Sequence, residues 1–245
     1  MTVATLVGLD CGWMRTQRRT LVTDGGTDEI SIPIPAWLIR HPEGVVLFDV
    51  GLHPDLANDT ASLGPLAKRF EVDLDTDGTI GSRLEQQGVD PAGSFAVVLS
   101  HCHFDHVGGL IELPNARVLV QRDEWRAARE GGPVYDTDLI DHGHDVVALD
   151  GTHDVFGDGT VVCLPTPGHT CGHQSLRVWT ASRTVILAGD ACYFDHTLDD
   201  ERLPPFAFDF DEQRRSLQML QRARAAGATI VPGHDASVFR TLTHN

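Results

Sequence analysis

Ser100-His101-Cys102-His103-Phe104-Asp105-His106-Val107-Gly108-Gly109 is the stretch on which the reading of this chain turns. Four potential metal ligands, His101, His103, Asp105 and His106, fall within six positions. They follow Phe95–Leu99, a short apolar run that predicts a strand buried on both faces. Such a strand end is where α/β sheets build their sites. In an extended segment His101 and His103 point to the same side. A turn at Phe104 then directs Asp105 and His106 to a neighbouring point, which suits two metal ions side by side. The plain alternative is a polar loop with surface histidines, and four ligand-type residues at this spacing argue against it.

Three later stretches place further ligands in the same kind of setting. Thr166-Pro-Gly-His169-Thr-Cys-Gly-His173 follows the strand-like run Thr160–Leu164, Gly189-Asp190 follows Thr184–Ala188, and Gly233-His234 follows Thr229–Val231. A glycine precedes each of His169, Asp190 and His234, letting the backbone turn closely around a crowded centre. Zinc takes His nitrogen and carboxylate oxygen, and catalytic sites keep a position for water. Five histidines and two aspartates are enough for two ions sharing a bridging carboxylate.

Outward from these motifs the chain reads as an α/β protein. Ala36–Arg40 and Val45–Val50 flank the hairpin-like turn His41-Pro-Glu-Gly44, and Arg117–Gln121 and Ser175–Trp179 are further strands. Asp209 is a helix N-cap with Glu212 three positions on; Leu217, Leu220 and Ala223 form an apolar stripe, and Gly227 ends that helix. Ile80–Gln87 and Asp123–Arg129 are shorter helices, and His53 to Asp77 is irregular. No repeat or linker interrupts residues 1–245, so one domain is expected.

Composition narrows the function. Lys and Arg number 19 against 35 Asp and Glu, a formal charge of −16. A general nucleic-acid binder needs a basic face, and anionic membranes disfavour so acidic a chain. No apolar run approaches the roughly 20 residues of a membrane helix. The first ten residues lack a basic, apolar leader, so a cytoplasmic location is expected. Five scattered cysteines without CxxC spacing give no disulfide framework.

The ordered set His101-Cys-His103-Phe-Asp105-His106, His169, Asp190, His234 resembles the metallo-β-lactamase superfamily. The resemblance runs from the early hairpin and Phe48-Asp49-Val-Gly51 to His234. It implies an αβ/βα sandwich with metals at one edge. By that pattern His101, His103 and His169 hold one metal, Asp105, His106 and His234 the other, and Asp190 bridges. Tyr193, three residues after Asp190, resembles the N-acyl homoserine lactonases, as do Pro205–Asp209 and Gly233-His234-Asp235. The activity implied is opening of an acyl homoserine lactone ring by a metal-bridging hydroxide. Two divalent ions about 3.5–4 Å apart can hold one near neutral pH. Zinc suits the ligand shell first, and Co, Mn or Fe would also fit. Asp105 is then the proton shuttle to the leaving alkoxide, and Tyr193 hydrogen-bonds the carbonyl region.

Other members of the fold offer alternatives. Organophosphate or aryl-ester hydrolases share the metal set and need only a roomy apolar pocket. Glyoxalase II-type thioesterases share the histidine motifs, but bind glutathione through C-terminal basic residues, and here only Arg240 follows Arg224. β-Lactamases proper lack the counterpart of Asp190, and flavodiiron proteins carry Glu at His103. A non-catalytic metal sensor is the reading from another class. The small-molecule substrate is the one partner implied; the oligomeric state, a homodimer included, stays open. Asp141-His142-Gly-His144-Asp145 reads as a solvated loop, and His173 as a hydrogen-bonding neighbour of the site rather than a ligand. Cys102, Cys171 and Cys192 read as small packing groups beside the ligands. Trp13, Met14, Trp37, Phe70 and Phe206 are core residues by default, and any of them can line an acyl pocket.

Overall fold

The computed structural model describes residues 3–243. β1 (Thr5–Gln17), β2 (Glu29–His41), β3 (Gly44–Phe48), β4 (Glu71–Asp73), β5 (Ala96–Val98), β6 (Arg117–Gln121) and β7 (Asp145–Leu149) form one sheet in the order β4-β1-β2-β3-β5-β6-β7. β8 (His153–Asp154), β9 (Val161–Pro165), β10 (Gln174–Trp179), β11 (Thr184–Leu187) and β12 (Thr229–Val231) form a second, in the order β12-β11-β10-β9-β8. The helices are α1 (Ile80–Gln86), α2 (Phe104–Val107), α3 (Arg122–Glu130), α4 (Asp195–Asp199), α5 (Phe210–Ala225) and α6 (Ala236–Thr243).

Side-chain alternation explains why the central strands are apolar throughout. Leu38, Leu47, Val97 and Val118 turn outward onto Ile80 and Leu84 of α1 and Ala128 of α3. Their neighbours Ile39, Val46, Val98 and Leu119 turn inward onto Val161, Leu176, Val185 and Val231 of the second sheet. The outer face of that sheet, through Ile186 and Ile230, meets Leu217 and Leu220 of α5. The result is the αβ/βα sandwich. Burying each such side chain is worth roughly 1.5–3 kcal/mol.

Local chemistry behaves as the sequence predicts at α5: Asp209 caps it by accepting from the backbone N–H groups of Asp211 and Glu212, and Gly227 follows at φ +100°. Other elements were not legible. β1 carries Gly8, Asp10 and Gly12, and its pairing with β2 shifts register between Asp10 and Trp13. β2 begins seven residues before the predicted Ala36, because Pro33 and Pro35 hide it. They are tolerated because β3 pairs with β2 only from Trp37 to His41. β7, β8 and α6 are too short or too polar to announce themselves.

Strand direction gathers the site. β3, β5, β6 and β7 are mutually parallel. β11 and β12 are parallel, and β9 shares their direction because both β9 and β11 run antiparallel to β10. Every candidate ligand therefore leaves a C-terminal strand end at one edge. Behind that edge Gln174 of β10 donates to the Leu99 carbonyl at 2.8 Å and accepts from Gln121 of β6 at 2.8 Å, joining the two sheets.

The loop after β9 sits directly on α5. Gly168 has φ +130°, and a Cβ there would lie 2.1 Å from the Gln213 nitrogen. Gly168→Ala therefore forces both backbone strain and overpacking. It is expected to lower stability in urea unfolding by at least about 2 kcal/mol. Gly157, at φ +78° with nothing within 4 Å of its would-be Cβ, is the comparison; Gly157→Ala adds only conformational strain of about 1 kcal/mol. Equal losses would show that the Gly168–α5 contact is slack.

Candidate metal centre

Asp190 stands at the centre of the cluster, in the turn after β11. Its Oδ2 lies 3.3 Å from His169 Nε2 and 3.6 Å from His101 Nε2. Its Oδ1 lies 3.1 Å from His234 Nε2 and 3.3 Å from His106 Nε2. Asp105 Oδ2 is 3.7 Å from His106 Nε2 and 3.8 Å from His234 Nε2. His103 Nδ1 meets His169 Nε2 at 3.0 Å. Two groups result, His101/His103/His169/Asp190 and Asp105/His106/His234, each with ligand atoms within 4.8 Å of one another. The predicted turn at Phe104 is α2, which lifts Asp105 and His106 toward the second group.

Hydrogen bonds behind the imidazoles aim them. Asp49, at the end of β3, accepts from Ser100 N–H (2.6 Å), Ser100 Oγ–H (2.8 Å) and His106 Nδ1–H (2.8 Å). With its proton given to Asp49, Ser100 Oγ accepts from His101 Nδ1–H at 2.9 Å. His234 Nδ1–H donates to the Pro33 carbonyl at 3.0 Å. In all three residues Nε2 is thereby left as the inward-facing atom. Asp49 appeared in the sequence only as part of a strand-end motif. Its role is visible here, along with a left-handed backbone at φ 58°, a strain typical of functional positions.

His173 takes the part expected of it. Ser175 Oγ–H donates to the Ala188 carbonyl, Thr166 Oγ–H to Ser175, and His173 Nδ1–H to Thr166. His173 Nε2 then accepts the Asp190 backbone N–H at 3.0 Å. This relay fixes the Asp190 turn. Burial holds the His173 imidazole down to about 3, so it remains a neutral acceptor.

The electrostatics favour cations. Burial pushes His101 and His169 well below their usual range and His103 to about 4. Neutral imidazole is the form that binds metal. For His106 and His234 burial acts the same way, but Asp190 and Asp105 outweigh it and raise both. Burial would raise Asp190, yet His106 and His234 hold its carboxyl well below the usual range. Buried nitrogens at His101, His103 and His106 Nε2, and Asp190 Oδ1, have no hydrogen-bond partner. Unsatisfied donor atoms converging on one point are the signature of a cation site rather than of a polar core.

The remaining predicted residues sort themselves. Tyr193 is buried between His169 and His234, its hydroxyl 3.4 Å from His169 Nδ1. Met14, Phe70 and Phe206 line a cavity of about 210 Å³ with Leu21, Ile32 and Leu66, and its inner end is formed by His103, Asp105, Asp190, Tyr193 and His234. Trp13 and Trp37 instead pack against Phe239, away from the cavity. Cys102 and Cys192 are buried, Cys171 is half-buried, and all five cysteines are free thiols. His142 and His144 lie outside the cluster; His144 is half-buried with Nε2 on the Leu113 carbonyl, and Asp145 opens β7 rather than extending a loop.

The model of the metallo-beta-lactamase superfamily matches residues 32–234. The N-acyl homoserine lactonase AttM of Rhizobium johnstonii is 33% identical over 99% of this chain and 97% of its own length. Its namesake from Rhizobium radiobacter is 34% identical over 98% and 96%. The crystal structure of an N-acyl homoserine lactone hydrolase with N-hexanoyl-L-homoserine at its catalytic metal centre superposes with a TM-score of 0.90. That alignment has 26% identity and covers 98% of this chain and 97% of that one. Family model, full-length similarity and superposition agree: this chain belongs to the metallo-beta-lactamase superfamily, alongside its N-acyl homoserine lactonases.

Proposed function

We propose that this chain is a metal-dependent hydrolase that opens the lactone ring of N-acyl homoserine lactones. The observation that carries this reading is the joining of the His/Asp cluster to an apolar cavity with Tyr193 at its inner end. The full-length similarity to enzymes of that name supports it.

The donor set fits two divalent ions. His101, His103 and His169 would hold one, Asp105, His106 and His234 the other, with Asp190 between them. Zinc is our first choice for this nitrogen and carboxylate shell. Bound ions supply a nucleophile at neutral pH and a Lewis acid for the carbonyl oxygen.

The chain's own groups do the rest. Leu21, Ile32, Leu66 and Phe70 exclude water from one side and hold the acyl chain by area burial. Burial, with Asp190 and Asp105 nearby, pushes the Tyr193 phenol well above its usual range, so it stays a hydrogen-bond donor. It is aimed at the carbonyl oxygen as charge develops there. Asp105 lines the cavity and carries the proton to the alkoxide as the ring opens. Five free thiols fit a cytoplasmic location, which we adopt, and we read residues 1–245 as one domain.

Elemental analysis of the purified protein should give close to two metals per chain. Asp190→Ala should disturb both, while His169→Ala or His234→Ala should weaken mainly one. A fully active protein with one metal would sink the binuclear assignment.

Proton release from an acyl homoserine lactone series measures the activity, because ring opening makes a carboxylic acid. Tyr193→Phe keeps the ring and its packing and removes one donor. We expect roughly a tenfold or greater fall in lactone turnover, about 1.4 kcal/mol or more, with metal content unchanged. A fully active Phe variant would return Tyr193 to a packing role. Wild-type protein that ignores every lactone but turns over a thioester or phosphotriester would replace the lactonase reading.

A further inference from the structure

Glu124, on α3, is a fully buried carboxylate that the chemistry above does not use. Its Oε1 accepts the Cys102 backbone N–H at 2.9 Å, and its Oε2 accepts the Gly172 backbone N–H at 3.1 Å. Cys102 lies between His101 and His103; Gly172 lies between His169 and His173. One carboxylate thus bridges the two loops that carry the three histidines of one group.

The contact is tight on both sides. A Cβ at Gly172 would lie 2.3 Å from the Glu124 nitrogen, so the loop is seated on the backbone of α3 itself. The Tyr135 phenol faces the same carboxylate and packs against His103, with ring centroids 5.7 Å apart. Cys171 Sγ–H donates to the Asp123 carbonyl at 3.4 Å, a second tie between the same loop and the same helix end. A buried charge is costly unless fully hydrogen-bonded, and here the bonds go to backbone groups of both ligand loops. A leucine or alanine would fill this place in an ordinary core.

We infer that Glu124 is a positioning residue for the metal centre: it locks the His101–His103 loop to the His169–His173 loop and so sets the separation of three ligands. It touches no substrate. Backbone anchoring is needed at this half because His103 and His169 face each other, whereas His101, His106 and His234 are held through their own Nδ1 atoms by Ser100, Asp49 and Pro33. The consequence is selective. Loosening Glu124 should weaken the His101/His103/His169 ion and leave the Asp105/His106/His234 ion largely in place.

The inference rests on the metal assignment proposed above, and its test reads zinc binding rather than turnover. Zinc-loaded protein is titrated against a chelator, and Glu124→Gln is compared with wild type and with Asp154→Asn. Glu124→Gln keeps the size of the side chain but sets an NH₂ against one of the two N–H groups. Asp154 also accepts two backbone N–H groups, from Gly157 and Gly159, but far from the cluster. Glu124→Gln should release one of its two zincs with 10- to 100-fold weaker affinity, the usual size for a group behind the ligands. Amide exchange should quicken at Cys102 or Gly172. Asp154→Asn should keep both zincs at wild-type affinity. If Glu124→Gln does not fold, Glu124→Asp, which keeps the charge but is one methylene short, takes its place in the same comparison. Wild-type affinity at both sites, or equal weakening by Asp154→Asn, would overturn the anchoring role. Wild-type protein that takes up no zinc would overturn the metal assignment, and this inference with it.

Discussion

Five imidazoles and two carboxylates crowded at one buried edge impose the constraint on which the rest of this structure depends. Bare, they leave nitrogens and an oxygen without partners, and burial and Asp190 pull the imidazoles toward opposite protonation states. A low-dielectric site tolerates such a set only when something positive satisfies it. The two divalent cations proposed for it would do so, and the deprotonated imidazoles of His106 and His234 would then serve as ligands. Asp190 presents one oxygen to each half, which makes it the group whose position matters most.

The fold answers by surrounding each ligand with fixed geometry. Asp190 is held through its backbone by His173. His101, His106 and His234 are oriented by Ser100, Asp49 and Pro33. The loop that carries His169 is pressed against α5 at Gly168 and against α3 at Gly172, where only glycine fits. Strain is stored in the same place, at Asp49, a left-handed residue that is not glycine. Such positions persist because the surrounding contacts over-determine them.

Chemistry and selectivity come from different parts of the molecule. The metal core is common to many reactions of this fold and says little about substrate. The cavity wall, from Met14, Leu21 and Ile32 on the first two strands and the loop between them to Phe206 near α5, is apolar and asks for an acyl group. Tyr193 joins the two parts, since its ring contacts His169 and His234 and its edge lines the cavity.

His101, His103, Asp105 and His106 were legible from spacing alone, because ligands in one short segment must be near one another. The central strands were legible because burial on both faces demands continuous apolar residues, and α5 because Asp209 and Gly227 carry local conformational meaning. His169, Asp190 and His234 were candidates because each follows a glycine at the end of a strand-like run, but dividing the ligands between two ions took a resemblance, since no local rule places residues 60 to 130 positions apart in one site. Only tertiary structure gave work to Asp49 and Glu124: an acid at a strand end or on a short helix looks like any solvated charge until the backbone groups it meets are known. The same holds for β1 and the first half of β2, whose glycines and prolines argue against strands until the bulge and the end of β3 are seen. Local sequence determined the ligand types, the buried strands and the helix ends, because those depend on near neighbours. The tertiary structure decided which oxygen and which nitrogen face inward, because that depends on hydrogen bonds between segments far apart in the chain.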